Sequence, residues 1–533
     1  MKSQPAIAES SNEAASTTLI WGLSPRQAAI LAGIIVVTIA IYLPSLRNGW
    51  VLDDRQEFID NKLIHSWSFV WDSFRYDNWW FRDPRRLPQS SYYRPLENVW
   101  FAANVWLFGL RPALWHLAKI GLHVIVVALC FRLAQLLAGS AAVALLAAAI
   151  FAVMPAHTGA VVFASAIPEP LSLAFELSAM ILLVQRKPGW SRGLIGALML
   201  YVCAILTHES AILFPLIVAA YLVIFERQRA VPALRTCAPF VVVVIAYMCV
   251  RLDVLGLKYL FAVHFEATGT GYVRGFEVWR PHYSLMQVLM TLPAALMTYL
   301  AVLTVPAVAG PAHDVDWVTH FEPIVLIEAA ALIVLAAAAF VPAWRSSHRR
   351  IYLFCAVWIG LTMAPALNLN SLWWLVDDRY LYAPSFGWSL AVALAAVEIA
   401  SAGSTARNAV GVALATLLAL NAVSTMHAER YWHDDVTFFR RGVEIAPRFA
   451  DYRLKLAYAL NEAGDREGAM RVLEVGTALD PDNAHMHLKL AQQYQMMGRE
   501  LDFMREFRKF NELSTALAER KGAPNAAEAT PSP

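Results

Sequence analysis

The sequence predicts an all-α protein: a membrane-embedded bundle of about eleven helices, followed by a soluble helical-repeat module. Three observations predict it. Of 533 residues, 58% are hydrophobic and only 16% charged, against about 25% charged in ordinary soluble domains. The deficit sits in uncharged apolar runs such as 28–43, 124–130 and 140–154, which read as helices that satisfy their own backbone hydrogen bonds in lipid. Near the end of the chain, sequence features repeat with a period of 34 residues.

In chain order, residues 1–25 are rich in Ser, Ala and Glu and read as disordered. A membrane domain over 26–427 follows, with spans at 27–44, 113–137, 140–155, 170–185, 193–207, 211–225, 236–250, 323–342, 351–368, 384–400 and 408–426. No small-residue cleavage pattern follows the first apolar run, so it reads as a retained span. Basic clusters lie at Arg186/Lys187/Arg192, Arg227/Arg229/Arg235 and Arg345/Arg349/Arg350. Such clusters favour the cytoplasmic side. Segment 285–309 is apolar enough to span, but it contains Pro293 and Pro306, and crossing there would put the third cluster outside. It therefore reads as re-entrant or lying on the outer surface. That choice gives eleven spans. It places the large loop 45–112, the region 251–322, the loops around Glu169 and Asp377–Tyr380, and everything after 427 on the outer, periplasmic or luminal, face. The five cysteines all fall in apolar segments without metal-ligand spacing, which argues against disulfides and structural zinc.

The module over 428–517 carries the repeat. Pro447 and Pro481, Gly464 and Gly498, Leu456 and Leu490, and Ala457 and Ala491 are each 34 apart. This resembles the tetratricopeptide repeat: a small residue lets paired helices approach, and Gly accepts the turn geometry. Full units are expected at 450–483 and 484–517, with 432–447 as a preceding half unit. Residues 518–533 read as a disordered tail. A short array leans on its neighbours, and it reads either as a packing cap or as a groove for extended peptide.

Candidate chemistry lies in the outer loops. Asp53 and Asp54 follow the first span. Carboxylates beside lipid are costly, and the pair reads as a general base, as a metal or hydroxyl ligand, or as a solvated cap. The pair is also where a divalent cation would sit, although no metal-ligand spacing calls for one and no cofactor is expected. Ser91-Tyr92-Tyr93-Arg94-Pro95-Leu96 offers Arg94 for a phosphate. Asn104-Val105-Trp106-Leu107-Phe108-Gly109 leads to His116 and His123 on the next helix. Met154-Pro155-Ala156-His157-Thr158 precedes Glu169 at the mouth of a span. Thr207-His208-Glu209-Ser210 breaks two apolar runs. Asp377-Asp378-Arg379-Tyr380-Leu381-Tyr382 opens a late span; Arg379 there suits a lipid phosphate at headgroup level or an ion pair with a neighbouring Asp. His116, His157, Glu209 and Asp378 are supporting candidates, and His157 reads more readily as a packed histidine than as a catalyst.

The order of these segments resembles that of the transmembrane-and-TPR-containing protein O-mannosyltransferases, a branch of the GT-C glycosyltransferases. The resemblance implies a polyprenyl- or dolichyl-phosphate sugar donor, an outward-facing site, and inverting transfer of mannose or another hexose to a Ser or Thr hydroxyl of a protein. It implies Asp53 or Asp54 as general base, Glu169 as the second-loop acid, and Arg379 at the departing phosphate, where the residue types also place Arg94 and Tyr380. Two departures stand out: Ile167-Pro168-Glu169 where the family often has Arg-Ala-Glu, and His208-Glu209 where relatives often carry a lysine. The implied partners are the lipid-linked donor, membrane lipid and a protein acceptor held by the repeats; nothing points to nucleic acid. Two other readings are sugar transfer to a lipid or cell-envelope glycan, and a non-catalytic scaffold that gathers partners on its repeats. Short spans and no retention signal favour a bacterial inner membrane over the endoplasmic reticulum.

Overall fold

The structure, a computed structural model, describes residues 20–83, 88–187, 189, 191–260, 271–273, 276–278, 284–367, 375–447 and 449–520. Most of the expected disordered N-terminus and tail lies outside them. The described residues are almost wholly helical. The helices are α1 (Pro25–Tyr42), α2 (Trp67–Asp72), α3 (Pro95–Phe108), α4 (Pro112–Ala138), α5 (Ala141–Ala152), α6 (Thr158–Val162), α7 (Pro168–Val184), α8 (Arg192–Thr207), α9 (Phe214–Ile224) and α10 (Ala230–Leu260). A three-residue hairpin, β1 (Gly271–Val273) with β2 (Phe276–Val278), follows α10. Then come α11 (Leu285–Thr304), α12 (Pro323–Arg345), α13 (Arg349–Met363), α14 (Pro384–Ala400), α15 (Ser404–Ala428), α16 (Asp435–Ile445), α17 (Ala450–Glu462), α18 (Arg466–Leu479), α19 (Ala484–Met496) and α20 (Glu500–Arg520).

Local sequence explains many helix starts. Ser24 and Gln27 form a reciprocal capping box on α1, as Ser284 and Gln287 do on α11. Proline opens α3, α4, α7, α12 and α14, where its missing N–H costs nothing.

The protein is a multi-pass membrane protein. Six helices are individually long and apolar enough to cross a bilayer: Pro25–Arg47, Pro112–Ala138, Ala230–Leu257, Leu285–Thr304, Pro323–Arg345 and Ser404–Trp432. The pair α5 and α6 makes a seventh if its 55° bend is taken as one broken span. In α12 and α15 only 6% and 11% of the apolar window is buried. Apolar faces this open suit lipid rather than water. Six of the expected spans are shorter helices of 11 to 17 residues. They pack on one another and on α4, so protein rather than lipid covers much of their length.

Helix direction follows from contacts at the ends. The C-terminal ends of α1 and α15 meet where the Asn48 side-chain amide donates to the Glu429 carbonyl. At the opposite face, Arg186 after α7 pairs with Glu226 after α9, and Ser346 and His348 between α12 and α13 bond Glu398 near the end of α14. The α10 end returns to the first face, where Tyr247 donates to the Tyr93 carbonyl and Arg251 to that of Ser91.

Segment 285–309, expected not to cross, contains a 20-residue helix of spanning length. Its C-terminal half meets the Asp377 loop through Tyr299, whose hydroxyl accepts from Asp377 N–H at 3.4 Å. The chain after it doubles back: Gly310 N–H donates to Asp378, and Val318 N–H donates to Thr291 near the start of α11.

Helices α16 to α20 stack each on the next. Gly464 and Gly498, 34 residues apart, both take left-handed φ (87° and 70°) at the turns. Leu456, Ala457, Leu490 and Ala491 are buried between helices.

Candidate active site

The turn after α1 carries the acidic pair. Leu52 takes φ 54°, a left-handed conformation that costs a residue with a Cβ roughly 1–2 kcal/mol. An acceptor far along the chain holds it: Leu52 N–H donates to Asp435 Oδ1 at 2.7 Å. Gly49 N–H donates to the His433 carbonyl at 2.9 Å, and Arg55 reaches Glu462 at 3.3 Å. The turn is therefore clamped by the first helices of the C-terminal array.

The two adjacent carboxylates differ. Asp54 is wholly buried. It accepts from Ser165 N–H at 2.8 Å, Ser165 Oγ at 2.6 Å and Val51 N–H at 3.1 Å. Burial pushes its pKa up to about 7, against those hydrogen bonds and the charge of Lys119. Asp53 is half-buried, and its carboxylate makes no hydrogen bond or ion pair among the described residues. Its charge is felt by Glu57, Arg82, Glu97 and Arg379, so it faces the cluster those residues form.

Glu57 lies on the π-type turn Arg55–Ile59 and Glu97 on the first turn of α3. Both are buried, with one carboxyl oxygen each accepting no hydrogen bond among the described residues. Burial, then the charges of Glu97 and Asp53, raises the Glu57 pKa well above the carboxylate range. Burial takes Glu97 up to about 8, against the pull of Arg94. Burial thus favours the neutral form of both Glu57 and Glu97, the kind of shift that acid–base sites employ.

Across the site, Arg379 Nε lies 2.8 Å from Asp377 Oδ2 and 3.7 Å from Glu169 Oε1. The guanidinium sits 5.5 Å from the centre of the Tyr380 ring. Burial alone would lower its pKa, but Asp377, Tyr380, Glu169 and Asp53 outweigh that and hold it firmly charged. Glu169 occupies the first turn of α7, and its Oε2 is buried without a partner.

Arg94 makes a forked pair with Glu209, at 2.7 Å from Nε and 2.6 Å from Nη2, and its third nitrogen lies 3.8 Å from Glu97. Its guanidinium covers the Tyr92 ring at 4.3 Å. The fork expected for a phosphate is thus occupied by a carboxylate, and Glu209 is that carboxylate. His116 is buried on α4 with neither ring nitrogen bonded. His157 is packed against Phe151 and Tyr382 with Nε2 2.6 Å from Ser385 Oγ, which is the packed histidine its sequence context suggested. Asp378 accepts from Gly310 N–H at 2.7 Å and lies 2.6 Å from His313 Nε2. It fixes the strand of chain returning along α11 rather than facing Asp53.

Sequence reasoning missed Glu57, Glu97, Ser165 and Lys119. Lys119 is buried on α4, and its ammonium donates to the carbonyls of Phe163 and Ala166 at 2.6 and 2.7 Å. It pins one side of the 163–167 turn while Ser165 on that turn holds Asp54. A charge inside a spanning run was the available signal. Glu57 stands one helical turn after Asp53, and Glu97 directly follows Pro95-Leu96; neither position carries a signal without the fold. Among the described residues no group of three or more His, Cys, Asp or Glu side chains is arranged to hold a metal ion.

No family model matches the chain. It is 24% identical over 494 residues to "Protein O-mannosyl-transferase TMTC3" of Mus musculus, covering 87% of this chain and 53% of that protein. The Drosophila melanogaster Tmtc3 protein of the same description is 24% identical over 544 residues, 87% of this chain and 57% of its own. Drosophila Tmtc1 is 31% identical over a shorter 196 residues, 36% of this chain and 22% of its own. The chain spans about half the length of the TMTC3 relatives it matches. The likeness to the O-mannosyl-transferases therefore extends over most of the chain. Among solved structures, ArnT from Cupriavidus metallidurans bound to undecaprenyl phosphate aligns with 80% of this chain and 81% of its own at 15% identity, with a TM-score of 0.36, too low to establish a common fold.

Proposed function

We propose that this chain is a membrane glycosyltransferase that moves mannose or another hexose from a polyprenyl- or dolichyl-phosphate donor to a Ser or Thr hydroxyl of a protein. The observation that carries the proposal is that Asp53, whose carboxylate makes no hydrogen bond or ion pair among the described residues, lies within electrostatic reach of Arg379, which Asp377 and Glu169 flank. The named activity of the TMTC relatives supports it. Of the adjacent acids, Asp53 is the base. Asp54 has its lone pairs engaged by Ser165 and Val51 and serves to hold the turn.

The reaction is a single displacement. The acceptor oxygen bonds to the anomeric carbon, the bond from that carbon to the phosphate oxygen breaks, and the electron pair leaves on the phosphate. The hydroxyl proton passes to Asp53. Charge grows on the departing phosphate, where a preoriented cation contributes most; Asp377 and Glu169 hold Arg379 for that task. Arg94, anchored by Glu209, shapes the site rather than binding the phosphate.

Eleven crossings fit the helix directions. α1 and α15 both run toward the acidic turn, which requires an odd number. α10 ends and α12 begins at that face, so α11 lies along it. Helices α16 to α20 read as tetratricopeptide-type units beside the site, suited to presenting a protein acceptor in the periplasm or lumen. Intact masses of envelope proteins from cells with and without the chain test the function: loss of a hexose increment is expected, and unchanged masses throughout refute it. A hexose lost from glycolipids alone would favour the lipid acceptor.

A further inference from the structure

We propose that Asp435, at the start of the C-terminal array, is a positioning residue that holds Leu52 in its left-handed conformation and thereby presents Asp53 to the site. The inference rests on Asp53 being the base. Leu52 is one of three residues other than glycine with positive φ in the described chain, and it directly precedes Asp53. Strain of this kind persists only where the surroundings enforce it, and it gathers at functional sites. The enforcing contact is the 2.7 Å hydrogen bond from Leu52 N–H to Asp435 Oδ1, across 383 positions of sequence. Bonds to carboxylates are among the stronger kind.

Flanking contacts lock the same docking. Gly49 N–H donates to His433 O, the Asn48 side chain donates to Glu429 O, and Arg55 meets Glu462. On the other side Asp54 is tied to Ser165. The turn is therefore gripped on both sides of Asp53, from the membrane helices through Asp54 and from the array through Asp435. Asp435 is not needed to start its own helix. The side chain of Asp434 caps α16 by accepting from Thr437 N–H at 2.7 Å, so the bond from Leu52 to Asp435 is separate from the helix cap.

The test uses the full chain in detergent or lipid nanodiscs, with dolichyl-phosphate or undecaprenyl-phosphate mannose as donor and an envelope protein as acceptor. Asp435→Ala should lower kcat about 10- to 100-fold, the scale of an ångström-level misplacement, with KM for the donor unchanged. Asp435→Asn, whose amide oxygen still accepts, should keep most of the rate. Leu52→Gly removes the cost of positive φ, so Asp435→Ala should cost several-fold less in that background. Hydrogen exchange provides a readout independent of activity. The Leu52 amide should exchange at least about tenfold faster in Asp435→Ala, while the α16 amides do not change. Equal losses in the Ala and Asn variants, no rescue by Leu52→Gly, or unaltered exchange at Leu52 would each overturn the inference. Accelerated exchange in an enzyme whose rate ignores Asp53→Asn would instead refute the assignment of the base while leaving the clamp in place.

Discussion

Asp54 provides the most direct energetic check on how the acidic turn is built. Its carboxylate accepts two backbone amides and one hydroxyl in a fully buried position. Asp54→Ala strands all three donors. The Ser165 hydroxyl can rotate, but the Val51 and Ser165 amides cannot. A buried donor without a partner costs about 1–3 kcal/mol, so the two amides together give roughly 2–6 kcal/mol. Asp54→Asn keeps an oxygen for Ser165 but turns an amide nitrogen toward Val51 N–H, which strands one donor at about 1–3 kcal/mol. Asp53→Asn breaks no contact and should stay within about 0.5 kcal/mol. Thermal or denaturant unfolding in detergent, followed by intrinsic tryptophan fluorescence, should therefore rank wild type and Asp53→Asn together, then Asp54→Asn, then Asp54→Ala. An Asp54→Ala protein as stable as wild type, or an Asp53→Asn protein as damaged as Asp54→Ala, would refute the division of labour between the two acids.

Two further outcomes follow from the same cluster. Glu97 has a folded pKa raised to about 8, above its unfolded value. Its protonated form therefore favours the folded state, and that contribution is full below about pH 4.5 and is lost as pH rises through about 8. Glu97→Gln removes the dependence, so unfolding measured from pH 5 to 9 should show the variant gaining on wild type as pH rises; parallel curves would count against a protonated Glu97. Arg94→Ala leaves Glu209 partly buried without its fork and should cost on the order of 2–4 kcal/mol after allowance for partial exposure. Arg94→Lys should recover only part of this, because an ammonium cannot form the paired bonds; full recovery would show that charge alone matters.

Much of this was legible in sequence because membrane proteins write their contrasts plainly. Each of the eleven expected spans coincides with a helix, since charged residues mark the ends of apolar runs. The 34-residue spacing located Gly464, Gly498 and the buried Leu456, Ala457, Leu490 and Ala491. Asp53, Glu169 and Arg379 stood out as charges at the mouths of spans, and the structure brings them into one cluster. What was not legible depends on tertiary burial. Nothing local distinguishes Asp53 from Asp54; the difference is Ser165, 111 residues away. Arg94 looked available for a phosphate because its partner Glu209 is 115 residues distant. Asp435 lies in an ordinary amphipathic helix, and only the docking of that helix on Leu52 gives it a role. The path of α11 was half legible: its prolines argued against a straight crossing, but Pro293 sits inside an intact helix.

The central claim is that Asp53 takes the acceptor proton in a sugar transfer. The measurement that tests it most directly is the initial rate of mannose transfer from a polyprenyl-phosphate donor by purified wild-type and Asp53→Asn protein, with unfolding followed on the same samples. The account predicts a loss of at least about 100-fold, the usual contribution of a general base, with stability unchanged. A full rate in Asp53→Asn would contradict it.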